Sequence, residues 1–135
     1  MTEVVSRQKS GKPKPKTPTK TQLLKKCDAT FGKVVRSPGL CDACGFSDHI
    51  QCAHGFSRSY RAVRWDQRNA FPLCRSCHVY YTHRPLQWDQ YLRDAWGEPL
   101  YALLRHLALT GPNPDLNETL ARLRAELATI ESEST

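Results

Sequence analysis

The two cysteine pairs of this chain restrict its fold more than any other feature of the sequence. Cys41-x-x-Cys44 and Cys74-x-x-Cys77 have the spacing that lets both thiolates of one turn reach a single tetrahedral ion. Two such turns complete a shell of four sulfur ligands, which predicts a closed, structural zinc site. The 29 residues between the pairs exceed what a minimal zinc ribbon needs, so a folded segment must lie between them.

The segment CRSCH at residues 74–78 also fits the attachment motif of a c-type haem. Covalent haem attachment belongs to compartments reached by export, and the opening residues, MTEVVSRQKSGKPKPK, contain no apolar stretch that can serve as a signal peptide. In the cytosol, reduced thiols tend to bind metal. We therefore expect a soluble, cytoplasmic protein without a membrane segment, in which Cys74 and Cys77 hold zinc. Cys27 and Cys52, outside the pairs, are predicted to be small buried hydrophobic residues.

The net charge of +7 is unevenly distributed along the 135 residues. Residues 1–36 carry ten Lys or Arg and two Asp or Glu, whereas residues 111–135 carry two and five. Every basic residue after Lys33 is an arginine, the type suited to bidentate phosphate contacts. This layout favours nucleic acid as the partner. For the basic tail alone, a solvated extension that aids solubility is an equal alternative.

The chain divides into three predicted segments, which together indicate an α+β fold. Residues 1–19 alternate Pro and Lys and are predicted to be a disordered basic tail. Residues 20–110 are predicted to form the zinc-stabilised domain, with a helix from about Thr21, short strands in HIQCAH and RAVRW, and helices in PLCRSCHVYYTH, PLQWDQYLRDAW and PLYALLRHLAL. Residues 111–135 contain an amphipathic helix beginning near Asp115.

The C-terminal helix carries an apolar seam whose members recur at steps of four and three. The seam comprises Leu116, Leu120, Leu123, Leu127 and Ile130. A seam of about two heptads fits two arrangements, packing back on the same chain or a homodimer contact.

Two histidines and an asparagine stand in order within and just after the cysteine frame. His54, Asn69 and His78 are separated by 15 and 9 positions, in the contexts CAHGF, RWDQRNAFPLC and CH. This set resembles the HNH, or ββα-metal, endonucleases, in which a hairpin supplies the first His and the Asn and a following helix supplies the last His. With LLKKCDATFGKVVR, AHGFSR and WDQYLRDAWGEPLYALL, the longer pattern over roughly residues 23–108 resembles the phage recombination endonucleases of the NinG/Rap type.

The resemblance implies divalent-metal-dependent hydrolysis of DNA phosphodiester bonds, on recombination or branched intermediates, in a phage or prophage setting within a bacterial host cell. It implies that His54 is the general base, that Asn69 braces the hairpin, and that His78 binds a catalytic Mg2+ or Mn2+ beside the structural zinc. A neutral imidazole suits the base, because its ordinary pKa is about 6.5. Phosphate contacts are expected from three hairpin arginines, namely Arg58, Arg61 and Arg64.

Three alternatives stay open at the level of sequence. Many HNH enzymes carry an Asp or His ligand just before the base, but here that position is Ala53, so Asp66, Thr82 or, less well aimed, His83 would complete the shell. His49, in the triplet DHI, is a rival base. A non-catalytic zinc module that binds DNA or a protein is the alternative function.

Overall fold

The structure, a computed structural model, describes residues 17–134. Within them lie five α-helices, two turns of 3-10 helix and one two-stranded antiparallel sheet, which confirms the α+β class. The elements in chain order are α1 (Lys20–Arg36), β1 (Ile50–His54), 3-10 turns at Arg61–Val63 and Gln67–Asn69, β2 (Ala70–Cys74), α2 (Arg75–Thr82), α3 (Pro85–Trp96), α4 (Glu98–Thr110) and α5 (Leu116–Glu133). The predicted disorder of the basic tail falls almost entirely on residues 1–16, outside the described residues.

Helix α1 begins at a capping box. The Thr19 side chain accepts from the Gln22 backbone N–H at 3.2 Å, and the Gln22 side chain accepts from the Thr19 N–H at 2.9 Å. The apolar stripe of this helix then packs on α5 and on Trp65. The buried members of this first core are Leu23, Cys27, Phe31, Val35, Trp65, Leu120 and Leu123. The predicted apolar role of Cys27 is confirmed, because its side chain is fully buried there.

The hairpin formed by β1 and β2 lies between α1 on one side and helices α2 to α4 on the other. Ile50 pairs with Cys74 and His54 with Ala70. Cys52 packs towards the first core, whereas its neighbour Ala53 belongs to a second one, as the alternation of a strand requires. That second core is built mainly from Ala53, Phe71, Leu73, Leu92 and Tyr101.

The predicted second strand at RAVRW is wrong. Arg61–Val63 forms a 3-10 turn, and the partner strand lies at AFPLC instead. Val63 and Trp65 are both buried, so their alternation reflects packing under a turn and not the pleat of a strand. Pro72 is tolerated within β2 because both strands of a two-stranded sheet are edges.

The helical predictions after the hairpin are confirmed, apart from the start of α2, whose predicted first residues belong to β2. Helix α3 begins at Pro85 and ends before Gly97, whose φ of 79° suits a residue without a side chain. Helix α5 begins after Asp115, which caps it by accepting from the Glu118 N–H at 2.9 Å.

The apolar seam of α5 packs back on α1, the first of the two arrangements considered for it. Leu120 and Leu123 are buried in the first core, whereas Leu116, Leu127 and Ile130 are half-buried. The homodimer contact stays a prediction. No helix within residues 17–134 combines the length and apolar character needed to cross a bilayer.

Candidate functional site

The four cysteines of the two pairs converge on one point. The Sγ atoms of Cys41, Cys44, Cys74 and Cys77 all lie within 4.8 Å of one another, and those of Cys44 and Cys74 are 3.7 Å apart. Sulfur ligands about 2.3 Å from a tetrahedral zinc ion lie roughly 3.8 Å from each other. The cluster therefore fits a metal ion such as zinc, with the chain supplying all four ligands.

Each cysteine pair is positioned by ordinary local structure. The first pair sits in a tight turn, in which the Gly45 N–H donates to the Cys41 carbonyl at 2.9 Å and Gly45 adopts a φ of 80°. The second pair spans the junction of β2 and α2, with Cys74 at the N-cap. The Asp42 N–H donates to the Pro72 carbonyl at 2.7 Å, which ties the first turn to β2.

The backbone around the cluster favours a thiolate. Burial opposes ionisation of Cys41, but hydrogen bonds from the backbone N–H groups of Cys74, Cys44 and Ala43 outweigh it and lower the Cys41 pKa to about 7. A thiolate is the form that binds metal, so the fold prepares at least one ligand in advance.

His54 is the last residue of β1 and is held by the segment that connects β1 to β2. Its Nε2 lies 2.9 Å from the backbone carbonyl oxygen of Arg64. Because a carbonyl only accepts, Nε2 carries the proton of the neutral ring and Nδ1 keeps its lone pair. Burial lowers the His54 pKa below its ordinary value, and the nearby Arg58 and Arg64 add to this effect. The ring is therefore neutral at pH 7, with one basic nitrogen available.

His78 lies on α2, directly after Cys77 of the cysteine cluster. Its Nδ1 lies 2.7 Å from the side-chain oxygen of Gln51 on β1. The amide oxygen only accepts, so Nδ1 donates and Nε2 is left as a free electron-pair donor. Burial lowers the His78 pKa. Gln51 was not anticipated from the sequence, where 27 positions separate it from His78.

The two histidines line the same cavities. The larger cavity, of about 890 Å3, is lined by His54 and His78 together with Gln51, Cys52 and Thr82. The smaller, of about 70 Å3, is lined by the same two histidines with Ala53 and Thr82. The structure thus brings together two imidazoles that are 24 positions apart in the chain, beside the four-cysteine cluster.

Asn69 is fully buried and holds the chain that follows His54. Its side-chain amide donates to the carbonyls of Phe56 at 3.0 Å and Val63 at 3.1 Å, and its side-chain oxygen accepts from the Phe56 N–H at 2.7 Å. The Asn69 carbonyl accepts from the Gly55 N–H at 2.8 Å. These bonds fix the loop between His54 and the 3-10 turn, and so agree with a bracing role.

Asp28 of α1 organises the residue that holds His54, a role the sequence did not reveal. Its carboxylate accepts two hydrogen bonds from the Arg64 guanidinium, at 3.0 and 2.6 Å, and a third from the Trp65 indole at 2.9 Å. Burial alone would raise the Asp28 pKa, but these bonds lower it overall. The Arg64 carbonyl that accepts from His54 is therefore anchored to α1 through its own side chain.

The three predicted phosphate-binding arginines occupy different surroundings. The Arg64 side chain is 14% exposed and is committed to Asp28. Arg58 is 65% exposed and lines the large cavity. Arg61 begins a 3-10 turn and lines neither cavity that contains His54. Of the three, Arg58 is thus the one that lines a cavity shared by both histidines, whereas Arg64 meets His54 through its backbone carbonyl.

The fold also places the remaining candidate site residues in different surroundings. Thr82 lines both cavities, and its hydroxyl donates to the His78 carbonyl at 2.7 Å. Asp66 pairs with Arg68 at 2.7 Å and lines neither cavity. His49 is exposed before β1 and His83 is exposed at the end of α2, and neither lines them. Of these residues, Thr82 therefore lines the cavities beside His78, whereas Asp66 and His83 do not, and His54 lines them whereas His49 does not.

No family model, curated protein or solved structure gives a significant match to this chain.

Proposed function

We propose that this chain is a divalent-metal-dependent DNA endonuclease of the HNH type. The observation that carries the proposal is that His54 and His78 line the same cavities. One nitrogen of each ring is held by a hydrogen bond, Nε2 in His54 and Nδ1 in His78, and the other nitrogen is free. The resemblance implies three features in chain order, and this chain has them in that order. The first strand of the hairpin ends in His54, the buried Asn69 precedes the second strand, and the following helix carries His78. The NinG/Rap-type resemblance extends the proposal to its substrate, recombination or branched DNA, and to its setting, the cytoplasm of a phage-infected bacterium.

His54 is the general base of the proposed reaction. Its Nδ1 takes a proton from a water molecule while the water oxygen forms a bond to phosphorus. The bond between phosphorus and the 3′ oxygen breaks, and the 3′ oxygen keeps the electron pair and is protonated by solvent. The products are a 5′-phosphate and a 3′-hydroxyl, and His54 returns its proton to solvent. The carbonyl of Arg64 stabilises the imidazolium while it carries both protons.

His78 supplies the protein ligand for the catalytic ion through Nε2, while Gln51 holds the other ring nitrogen. When bound, a divalent cation neutralises negative charge on the phosphoryl and leaving oxygens. Among residues 17–134, Asp28 is the one carboxylate that lines the large cavity, and Arg64 and Trp65 already engage it. Waters and substrate phosphate must therefore fill most of the shell, as is common for Mg2+.

The proposal is tested by incubating the zinc-loaded protein with supercoiled plasmid and a four-way DNA junction, in Mg2+ or Mn2+. We expect nicking that falls by a factor of about 10^2 to 10^4 in His54→Ala, because removal of a general base costs this much. His49→Ala is the matched control and is expected to cleave like the natural chain, because His49 lies outside both cavities. Equal nicking by His54→Ala would refute the base assignment.

A non-catalytic zinc module that binds DNA or protein remains the second candidate. Ala53 favours it, because this buried residue stands where many HNH enzymes carry a second metal ligand. Binding of the plasmid or the junction by the natural chain, without nicking in either ion, is the result that selects this function over hydrolysis.

A further inference from the structure

Gly32 stands in the middle of α1, where glycine is less favourable than alanine. A Cβ atom at this position would lie 2.6 Å from Nη1 of Arg36, and its three nearest neighbours all belong to that guanidinium. Arg36 follows Gly32 by four residues and so lies on the same face of the helix. The missing side chain therefore leaves room for the Arg36 guanidinium to lie along α1.

Arg36 and Gly32 both line the large cavity that contains His54 and His78. Arg58 lines the same cavity from the loop after β1. Both guanidinium groups also lie near Cys52 in the cavity wall. Burial raises the pKa of the Cys52 thiol to about 11, and the positive charges of Arg36 and Arg58 each oppose this rise. Two cations from separate elements thus face the space beside the histidines.

Within the part of the chain that the structure describes, the charge of Arg36 has no carboxylate partner and that of Arg58 is only partly compensated. Between residues 17 and 134 Arg36 has no carboxylate partner, and Arg58 approaches Asp28 only at 4.0 Å. Asp28 already accepts from Arg64 and Trp65. The cavity therefore has an excess of positive charge and suits an anionic ligand.

We propose that Arg36 and Arg58 form a clamp for the DNA phosphates that flank the bond to be cleaved, and that Gly32 is required to seat Arg36 in it. The inference rests on the proposed function, since it names the residues that hold the substrate backbone at that site. Guanidinium groups bind phosphate oxygens in a bidentate manner, and phosphate contacts carry no sequence information, so binding by the clamp is expected to be independent of sequence. It assigns to Arg36 the role that the resemblance implied for Arg64.

The test measures the affinity of a fluorescent 30-base-pair duplex across a salt series, without added divalent ions, and separately the rate of plasmid nicking. In Arg36→Gln we expect affinity about tenfold lower at low salt, and a dependence of log affinity on log salt that is shallower by about one unit, because one phosphate contact is lost. Arg105→Gln on α4 removes the same charge away from both cavities and is the matched control. It is expected to leave the salt slope unchanged.

Gly32→Ala separates the clamp from an effect on folding. Alanine favours the helix, so we expect an equal or higher melting temperature, together with an affinity about threefold lower because the guanidinium of Arg36 is displaced. Loss of affinity with a retained melting temperature supports the clamp. Unchanged affinity in this variant shows that the seat at Gly32 is not needed, and overturns that part of the proposal.

The two proposals fail in different ways. If the natural chain nicks DNA but Arg36→Gln binds and nicks like Arg105→Gln, the clamp is wrong and the nuclease function stands. If the natural chain binds the duplex with the expected dependence on Arg36 but never nicks, the clamp is supported and the hydrolytic function is wrong. If the natural chain does not bind DNA, the clamp is overturned.

Discussion

The cysteine cluster and the histidine cavity differ in how much of a coordination shell the chain itself supplies. At the cysteine cluster the chain provides four sulfur atoms within 4.8 Å of one another, and nothing is left for a substrate. At the histidine cavity it provides one free imidazole nitrogen and a positioned base, beside about 890 Å3 of open space. A closed shell stabilises a fold, whereas an open one leaves positions for water or substrate. In the proposed function the cysteine cluster therefore serves stability and the histidine cavity serves the reaction.

The link between the two regions is short. Cys77 and His78 are consecutive residues of α2, and β1 ends at His54 opposite the start of β2. A metal ion held by both cysteine pairs therefore fixes α2 against the hairpin, and with it the relation of the two histidines. Four predictions test this division and are given from the largest expected effect to the smallest.

Cys77→Ser should have the largest effect, because it removes a ligand of the closed site. Structural zinc contributes on the order of 10 kcal/mol in small domains, comparable to the whole stability of a typical protein. We expect loss of bound zinc and of the cooperative unfolding transition, measured by elemental analysis and circular dichroism. Cys27→Ser is the control, since Cys27 is buried against α5 outside the cluster. A folded, zinc-free Cys77→Ser protein would contradict the role given to the cluster.

Asp28→Asn should act on the open site without removing any group that meets the substrate. Arg64 loses the charge that anchors it, so the carbonyl that orients His54 is less well held. We expect kcat to fall by about 10- to 100-fold, as for other outer-shell partners, with KM nearly unchanged. Asp66→Asn, which breaks a similar pair with Arg68 away from the cavity, is the matched control. Equal effects of the two substitutions would show that Asp28 contributes to the fold in general and does not specifically position His54.

The pH dependence of cleavage should follow His54. Burial lowers the pKa of this imidazole below 6.5, with Arg58 and Arg64 adding to the shift and Asp28 opposing it. A general base acts when unprotonated, so the rate should be level above about pH 6.5 and fall about tenfold per unit below the His54 pKa. The same shift stabilises the fold above the ordinary pKa, and this stabilisation is lost as the pH falls. A plot of log kcat against pH that still rises above pH 7 would argue against His54.

The choice of catalytic ion should show the smallest effect. The free donor of His78 is a nitrogen, and nitrogen ligands favour transition metals over Mg2+. We expect half-maximal nicking at a Mn2+ concentration at least several-fold lower than that of Mg2+. This preference should disappear in a His78→Asp variant that retains activity, because a carboxylate restores the oxygen ligand that Mg2+ prefers. Equal requirements for the two ions in the natural chain would indicate that His78 does not bind the ion.

The sequence was most informative where local rules decide the structure. Pro85 and Gly97 bound α3 as predicted, and Asp115 caps α5, because capping and backbone restriction act over a few residues. The cysteine spacing likewise predicted the metal-binding cluster. The second strand was misplaced because the alternation of Val63 and Trp65 arises from tertiary packing, which single-sequence patterns do not distinguish from a pleat.

The supporting residues of the site could not be found by spacing. Asp28 lies 36 positions before Arg64, and Gln51 lies 27 before His78, so only the folded chain shows that they meet. The sequence does contain one indication of a close contact. Gly32 interrupts an otherwise favourable helix, and such a glycine indicates close approach of another group, here the guanidinium of Arg36.

Replacement of His78 by alanine tests the division between the two regions most directly, with zinc content and plasmid nicking measured on the same preparation. The account predicts that the variant keeps one zinc ion per chain and its melting temperature, while nicking in Mn2+ falls at least about a hundredfold. Nicking at the natural rate would contradict it, because His78 would then have no part in the reaction. Loss of zinc together with activity would also contradict it, because His78 would then act on folding and not on the reaction.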